Sequence, residues 1–75
     1  MSDYIWVEVE TNNYSRFLLK CQSLNINVYK VIEKDNLLIK ILYKDFNKLN
    51  KIWFIKCHII SYEGKRKIRN ILLLN

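Results

Sequence analysis

Glycine, proline and alanine are nearly absent from this chain of 75 residues. It has one glycine, no proline and no alanine, while isoleucine, lysine and asparagine together supply 30 of its residues. We interpret this bias as the mark of an AT-rich genome and not as a sign of function. The loop after the first predicted strand, residues 11–13, contains no glycine and no arginine. A backbone anion cradle usually needs glycine, so a phosphate or acyl-phosphate enzyme is disfavoured.

Long apolar runs and cysteine clusters are also missing. No stretch reaches the length of about 18 apolar residues that a transmembrane helix needs. The N-terminus has no basic region leading into an apolar one, which disfavours a signal peptide. Cys21 and Cys57 are the two cysteines, and they form neither a disulfide framework nor a metal-binding motif. We therefore predict no metal site and no cofactor.

The chain does have a large apolar fraction and an uneven positive charge. Its 51% hydrophobic content is sufficient for a core, which excludes a disordered tail. Its length limits it to one small domain. The net charge is +6, from 13 Lys+Arg against 7 Asp+Glu. Residues 65–75 carry +4 of this charge, so the rest of the chain is close to neutral.

Apolar periodicity predicts four strands and two helices. Alternation with period two predicts strands at residues 4–10, 28–34, 37–43 and 56–63, with a tight hairpin at residues 35–36 and a bulge or an edge position in the second strand. Helical spacing predicts helices over residues 14–24 and from residue 44 onward. Asp45 would be the N-cap of the second helix, whose predicted apolar stripe is Phe46, Leu49, Ile52 and Trp53.

The predicted order of elements is strand, helix, strand, strand, helix, strand. Two such halves interlock into an α+β, ferredoxin-like split βαβ sandwich, with a four-stranded antiparallel sheet and two helices on one face. The predicted domain covers residues 1–64, and residues 65–75 form a basic and apolar C-terminal segment. The predicted core residues are Ile5, Val7, Val9, Phe17, Leu18, Leu37, Ile39, Ile41, Phe46, Leu49 and Ile59.

The sequence pattern contains no recognisable set of catalytic residues. Cys21 lies on the apolar stripe of the first helix, as a buried small hydrophobe would. Cys57 and His58 are adjacent in a strand and point to opposite faces, so they cannot pair as nucleophile and base. Glu8 and Glu10 share a strand face and are best explained as a solvated or salt-bridged face. We therefore predict a non-enzymatic domain without a small-molecule substrate.

Trp6 is the candidate contact residue of the sheet, because it alternates away from the core. Sheets of this topology can stack nucleic-acid bases on exposed aromatic side chains, and Tyr29 and Tyr62 could join it. Against this, Glu8 and Glu10 flank Trp6 and would repel phosphates, and the third strand has no RNP1 pattern. Nucleic acid is therefore the alternative partner. Packing of Trp6 against the C-terminal segment or a protein partner is the other interpretation.

The C-terminal segment combines a basic cluster with an apolar run. The cluster directly precedes residues 71–74, which are Ile-Leu-Leu-Leu. This order is typical of a cytoplasmic domain that continues into a transmembrane helix, and such basic residues attract anionic lipid at about 1 kcal/mol each. An amphipathic C-terminal helix that covers one side of the sheet explains the pattern equally well. The predicted membrane or partner contacts are Lys65, Arg66, Lys67 and Arg69.

Several short motifs resemble a known family. The matching stretches are residues 15–21 (SRFLLKC) and 25–31 (NINVYKV), followed by Asp45, Leu49, Lys56-Cys57 and Glu63-Gly64-Lys65 with its basic run. They resemble the N-terminal region of YqfD, a family of stage IV sporulation membrane proteins of spore-forming Firmicutes, in which a transmembrane helix follows. The resemblance implies a cytoplasmic domain at the inner face of the cell membrane, as part of a longer membrane protein. It also implies a protein partner or self-association, and it supplies no catalytic residues.

Overall fold

The computed structural model describes residues 3–63, which form a four-stranded antiparallel sheet and two helices. The predicted α+β class is therefore confirmed. Gly64 and the C-terminal segment lie outside the described residues. The elements are β1 (Tyr4–Glu10), α1 (Tyr14–Ser23), β2 (Lys30–Glu33), β3 (Leu37–Leu42), a 3₁₀ helix (Tyr43–Lys51) and β4 (Lys56–Glu63).

The sheet interleaves the two halves of the chain. Its strand order is β2-β3-β1-β4, and every neighbouring pair is antiparallel. Consequently β1 runs parallel to β2 with β3 between them, and β3 runs parallel to β4 with β1 between them. Each helix thus connects two parallel strands that do not touch. This topology is compatible with the predicted ferredoxin-like arrangement.

The core is built from the two central strands and α1. Alternate residues of β1 and β3 are completely buried, and they pair across the strands as Ile5 with Ile41 and Val7 with Ile39. Phe17 and Cys21, one helical turn apart, cover them from α1. Eight of the predicted core residues are buried, and three pack against the core from partly buried positions, namely Leu18, Phe46 and Ile59.

The C-terminus of α1 adds a core residue that the sequence prediction omitted. Asn25 has a positive φ of 62°, the left-handed conformation expected of an asparagine at a helix end. Its N–H donates to the Gln22 carbonyl at 3.1 Å, and the Ile26 N–H donates to the Cys21 carbonyl at 2.9 Å. These two bonds form a Schellman motif, in which the residue after the left-handed position packs back onto the helix. Ile26 is accordingly buried.

The second strand is shorter than predicted. It covers residues 30–33 instead of 28–34, and all four of its residues are exposed because β2 is an edge strand. The hydrogen bonding at the start of β2 is irregular. The Tyr29 N–H donates to the Lys40 carbonyl at 2.8 Å, although Lys40 is already the ladder partner of Lys30. The predicted edge position is therefore confirmed.

The second helix differs from the prediction in type, start and face. It is a 3₁₀ helix that begins at Tyr43, a residue predicted to end β3. A 3₁₀ helix has three residues per turn, so residues three apart share a face. Phe46, Leu49 and Ile52 follow this spacing and pack on the sheet. Trp53 does not follow it and is 79% exposed, so its predicted place in the apolar stripe was wrong.

The predicted N-cap role of Asp45 was also wrong. Leu42 is the N-cap, and it makes no side-chain capping bond. Asp45 instead lies inside the first turn, is buried, and places its Oδ1 3.1 Å from Lys48 Nζ. The same ammonium donates to the Asn25 carbonyl at 3.3 Å. Lys48 therefore joins the 3₁₀ helix to the end of α1, and the two helices form one layer.

Candidate interaction face

Among residues 3–63, no helix covers one side of the sheet, and we call that side the open face. Val7 and Ile39 point to the helical side, so Trp6 and Lys40, which pair next to them, point to the open face. Trp6 therefore lies on the side that the sequence predicted, away from the core. The open face also includes Tyr4, Glu8, Leu38 and Glu63.

A bulge interrupts β4 where it passes Trp6. The register of β4 against β1 shifts between Trp6 and Val7, since these two residues pair with Ser61 and Ile59. Ile60 is the extra residue between the two partners. A bulge of this kind re-aims the side chains that follow it.

Beyond the bulge, the alternation of β4 is reversed. Cys57 packs against the core, and unbroken alternation would place Glu63 on the same side. Instead, Glu63 pairs with Tyr4 and reaches the open face. β4 contains no glycine or proline that would indicate a bulge, so the position of Glu63 on the open face could not be predicted from the sequence.

Glu63 is the centre of a small network on the open face. Trp6 Nε1 donates to Glu63 Oε2 at 3.0 Å, and Lys40 Nζ lies 2.8 Å from Oε1. These bonds, the one from Lys40 first, lower the pKa of the Glu63 carboxyl from its ordinary value, and desolvation opposes them only partly. Lys40 Nζ also lies 4.8 Å from the centre of the Tyr4 ring, and Tyr4 meets Tyr29 edge to face at 5.1 Å.

Glu8 forms a second polar cluster on the same face. Its Oε2 accepts a hydrogen bond from Asn36 Nδ2 at 3.1 Å, and its Oε1 lies 3.1 Å from His58 Nε2. His58 thus points to the open face and Cys57 to the helical side, which confirms the predicted opposite orientation of these two neighbours. Both carboxylate oxygens of Glu8 are engaged.

The two cysteines face the interior. Burial, followed by the proximity of Cys57, raises the pKa of the Cys21 thiol to about 11, and burial also raises the pKa of Cys57. A thiol with a raised pKa is a poor nucleophile and a poor metal ligand at neutral pH. Cys21 is a core residue, as predicted. Within residues 3–63, no group of three or more His, Cys, Asp or Glu side chains could hold a metal ion.

The contact roles predicted for Trp6 and for the basic C-terminal residues both stay predictions. Trp6 lies on the open face, half-buried and hydrogen-bonded to Glu63, and its role as a contact stays a prediction. The four basic residues of the C-terminal segment also stay predictions, because the part of the chain that the structure describes ends before them; they are Lys65, Arg66, Lys67 and Arg69.

No known protein family, curated protein or solved structure matches this chain. Neither helix of residues 3–63 has the length and apolar character to cross a membrane. The function of the open face must therefore be inferred from its own side chains and their contacts.

Proposed function

We propose that this chain is a non-enzymatic interaction domain of ferredoxin-like fold that binds a protein partner on the open face of its sheet. The fold assignment is supported by the order of elements and by the two interleaved pairs of parallel strands. Because both helices connect strands across one side, the other side of the sheet is left without a covering helix among the described residues.

The observation that carries the proposal is the position of Glu63. Its carboxylate engages both the indole N–H of Trp6 and the ammonium of Lys40. A nucleic acid that stacked on Trp6 would bring its phosphates close to this negative charge and to that of Glu8. A protein partner can match such a mixed surface with its own donors and acceptors. Charge and hydrogen bonding therefore favour a polypeptide.

The aromatic side chains of the face support the same conclusion. Tyrosine and tryptophan are enriched in protein interfaces, where they supply much of the binding free energy. Here Tyr4 is held by the Tyr29 ring and by Lys40, and Trp6 is held by Glu63. Side chains that are ordered before binding lose less conformational entropy when a partner arrives.

One observation favours nucleic acid as the second candidate. Lys30 and Lys40 pair directly across β2 and β3, next to the aromatic side chains of the face. Basic and aromatic groups in this combination can bind a single strand through phosphate contacts and base stacking. The experiment below therefore includes a nucleic-acid outcome.

The proposed setting comes from the resemblance to the YqfD family. It supports a cytoplasmic domain at the inner face of the membrane of a sporulating Firmicute. Lys65, Arg66, Lys67 and Arg69 would contact anionic lipid headgroups there. The partner on the open face would be another protein at that membrane or a second copy of the chain.

Site-specific photo-crosslinking tests the protein partner. Ile32 is exposed on β2 and pairs with Leu38, so a photoreactive benzoylphenylalanine at position 32 probes the open face. We expect one discrete protein adduct in sporulating cells. The matched control carries the same group at Leu19 of α1, which is 66% exposed on the helical side and should not give that adduct.

A second substitution links the adduct to the face. Leu38→Asp places a second carboxylate opposite Glu8 on the open face, and we expect it to reduce the adduct at position 32 by tenfold or more, since like charges side by side in an interface typically cost about 2 kcal/mol or more. An adduct that nuclease removes would instead favour nucleic acid. Equal adducts at positions 32 and 19 would contradict the proposal.

A further inference from the structure

The charges of the described residues are divided between two sides of the molecule. We define the helical layer as residues 14–23 and 43–55, which comprise α1, the 3₁₀ helix and the turn after it. This layer has five basic residues and one acid, a net charge of +4. The remaining described residues have six acids and four lysines, a net charge of −2. The basic residues of the layer are Arg16, Lys20, Lys44, Lys48 and Lys51.

The outer surface of the helical layer is therefore basic. Its single acid, Asp45, is buried and pairs with Lys48. The other four basic side chains belong to exposed residues. The edge strand adds one exposed carboxylate on this side of the sheet, Glu33, which pairs with the buried Leu37. Glu33 contributes a single negative charge, so the helical layer keeps a net positive charge.

The same layer carries the two most exposed large apolar side chains of residues 3–63. Trp53 is 79% exposed and Leu19 is 66% exposed. Leu19 and Lys20 share a face of α1 with Arg16, at positions i+3 and i+4. The Arg16 guanidinium lies 4.3 Å from the centre of the Phe54 ring and 5.5 Å from that of Trp53. Arg16 therefore connects α1 to the turn that bears Trp53.

We infer that the helical layer docks on an anionic lipid bilayer. Tryptophan and leucine favour the interfacial region of a membrane, and exposed lysines and arginines are attracted to anionic headgroups. A nucleic acid would use the same cations but would give Leu19 no apolar environment, so the bilayer explains more of the surface. This inference rests on the membrane-surface role proposed for the C-terminal segment, but it assigns the contact to different residues.

Partition of the chain of 75 residues onto lipid vesicles tests the inference. The probe is a vesicle rich in phosphatidylglycerol, compared with one of phosphatidylcholine alone. Lys20→Gln with Lys51→Gln should lower the partition coefficient onto anionic vesicles about thirtyfold, given the attraction of each basic side chain to such a surface. Lys30→Gln with Lys34→Gln is the matched control. It removes the same charge from β2 and its hairpin, and it should change partition by about threefold or less, because screened charges act over short distances.

Fluorescence quenching gives a second readout that does not depend on charge removal. In a Trp6→Phe chain, Trp53 is the only tryptophan. Brominated lipids should quench its emission when anionic vesicles are added, because docking brings the Trp53 ring to the level of the upper acyl chains. Trp53→Phe, which leaves only Trp6 on the open face, should show no quenching.

The outcomes separate this inference from the proposed function. Thirtyfold weaker partition of Lys20→Gln/Lys51→Gln together with quenching of Trp53 supports docking through the helical layer. If neutralising Lys65, Arg66, Lys67 and Arg69 abolishes partition while the Lys20/Lys51 variant binds normally, the segment's role stands and the inference is overturned. An intact chain that does not partition overturns both. A third result is that the intact chain does not partition onto vesicles but binds an oligonucleotide, and that the Lys20/Lys51 variant binds the oligonucleotide more weakly. The ligand of the helical layer would then be a nucleic acid and not a bilayer.

Discussion

Glu63 accepts two hydrogen bonds while 46% of its side chain stays exposed. An ion pair at this exposure is screened by water, so its contribution to the free energy of unfolding is about 0.5 kcal/mol. Its pKa is lowered in the folded state, and a group of this kind stabilises the fold only while it is ionised. The contribution is therefore present above the pKa of an unfolded glutamate, about 4.3, and is lost as the pH falls through the lower folded value.

Glu63→Gln tests this single-residue effect. Glutamine keeps a carbonyl oxygen for the Trp6 N–H but removes the charge that pairs with Lys40. We expect the variant to be less stable than the natural chain by about 0.5 kcal/mol at pH 7 and to approach it in stability as the pH falls below the glutamate range. Urea unfolding at a series of pH values measures the difference.

The control for this prediction removes a carboxylate elsewhere. Glu33→Gln changes an exposed residue of β2 and eliminates the same charge. If Glu33→Gln and Glu63→Gln show the same pH dependence, the effect comes from net charge and not from the contacts of Glu63.

The end of α1 depends on a left-handed residue. Asn25 has a φ of 62° and is the one non-glycine residue of the described chain with a positive φ. A Cβ without a local hydrogen-bonding group makes this conformation unfavourable by about 1 kcal/mol. We expect Asn25→Ala to lower the free energy of unfolding by that amount and Asn25→Gly to cause no comparable loss. Thermal and urea unfolding measure both.

Asn27→Ala is the matched control for the helix end, because Asn27 is exposed and has a negative φ. Its stability should stay within about 0.5 kcal/mol of the natural chain. A loss equal to that of Asn25→Ala would mean that asparagine side chains stabilise this loop in some other way.

The regular elements could be predicted from sequence because one periodicity fitted each of them. β1 and β3 alternate strictly, so their buried residues and the outward side of Trp6 followed directly. The second helix was ambiguous. Phe46, Leu49 and Ile52 are spaced three residues apart, as in a 3₁₀ helix. The same three residues together with Trp53 also match the apolar stripe of an α-helix. The structure has the 3₁₀ form, whose residues three apart pack on the sheet, and no local signal in the sequence distinguished the two helix types.

Two features of the candidate site could not be predicted for a different reason. Alternation predicts the direction of side chains only while a strand is regular. The bulge at Ile60 interrupts β4, so alternation no longer predicts the direction of Glu63. The basic surface of the helical layer could not be predicted because its basic residues are spread along the chain from Arg16 to Lys51. The fold brings them together, and acids elsewhere cancel them in any count of net charge.

The small size of the domain makes its overall stability sensitive to the central strands. Ile41 is fully buried in β3, whereas Ile32 on the edge strand is 41% exposed. Removing one methylene group from a core isoleucine costs about 1 kcal/mol. We expect Ile41→Val to lower the urea midpoint accordingly and Ile32→Val, the same chemical change, to leave it nearly unchanged. Equal midpoints for the two variants would contradict the described core.

The two proposed surfaces lie on opposite sides of the whole molecule. A bilayer against the helical layer would leave the open face directed away from the lipid. Protein binding and membrane docking would then use separate residues and would not compete. The described domain would hold its partner at a fixed orientation near the membrane surface.

The bulge at Ile60 also bears on how such a domain could change during evolution. Losing that one codon would remove the extra residue and leave the flanking pairs unchanged, with Ser61 opposite Trp6 and Glu63 opposite Tyr4. The open face would keep its central acid, now presented by a regular strand. A lineage could thus gain or lose this residue in a single in-frame event and keep the same ligand, because the bulge accommodates the insertion without reversing the faces of the strand.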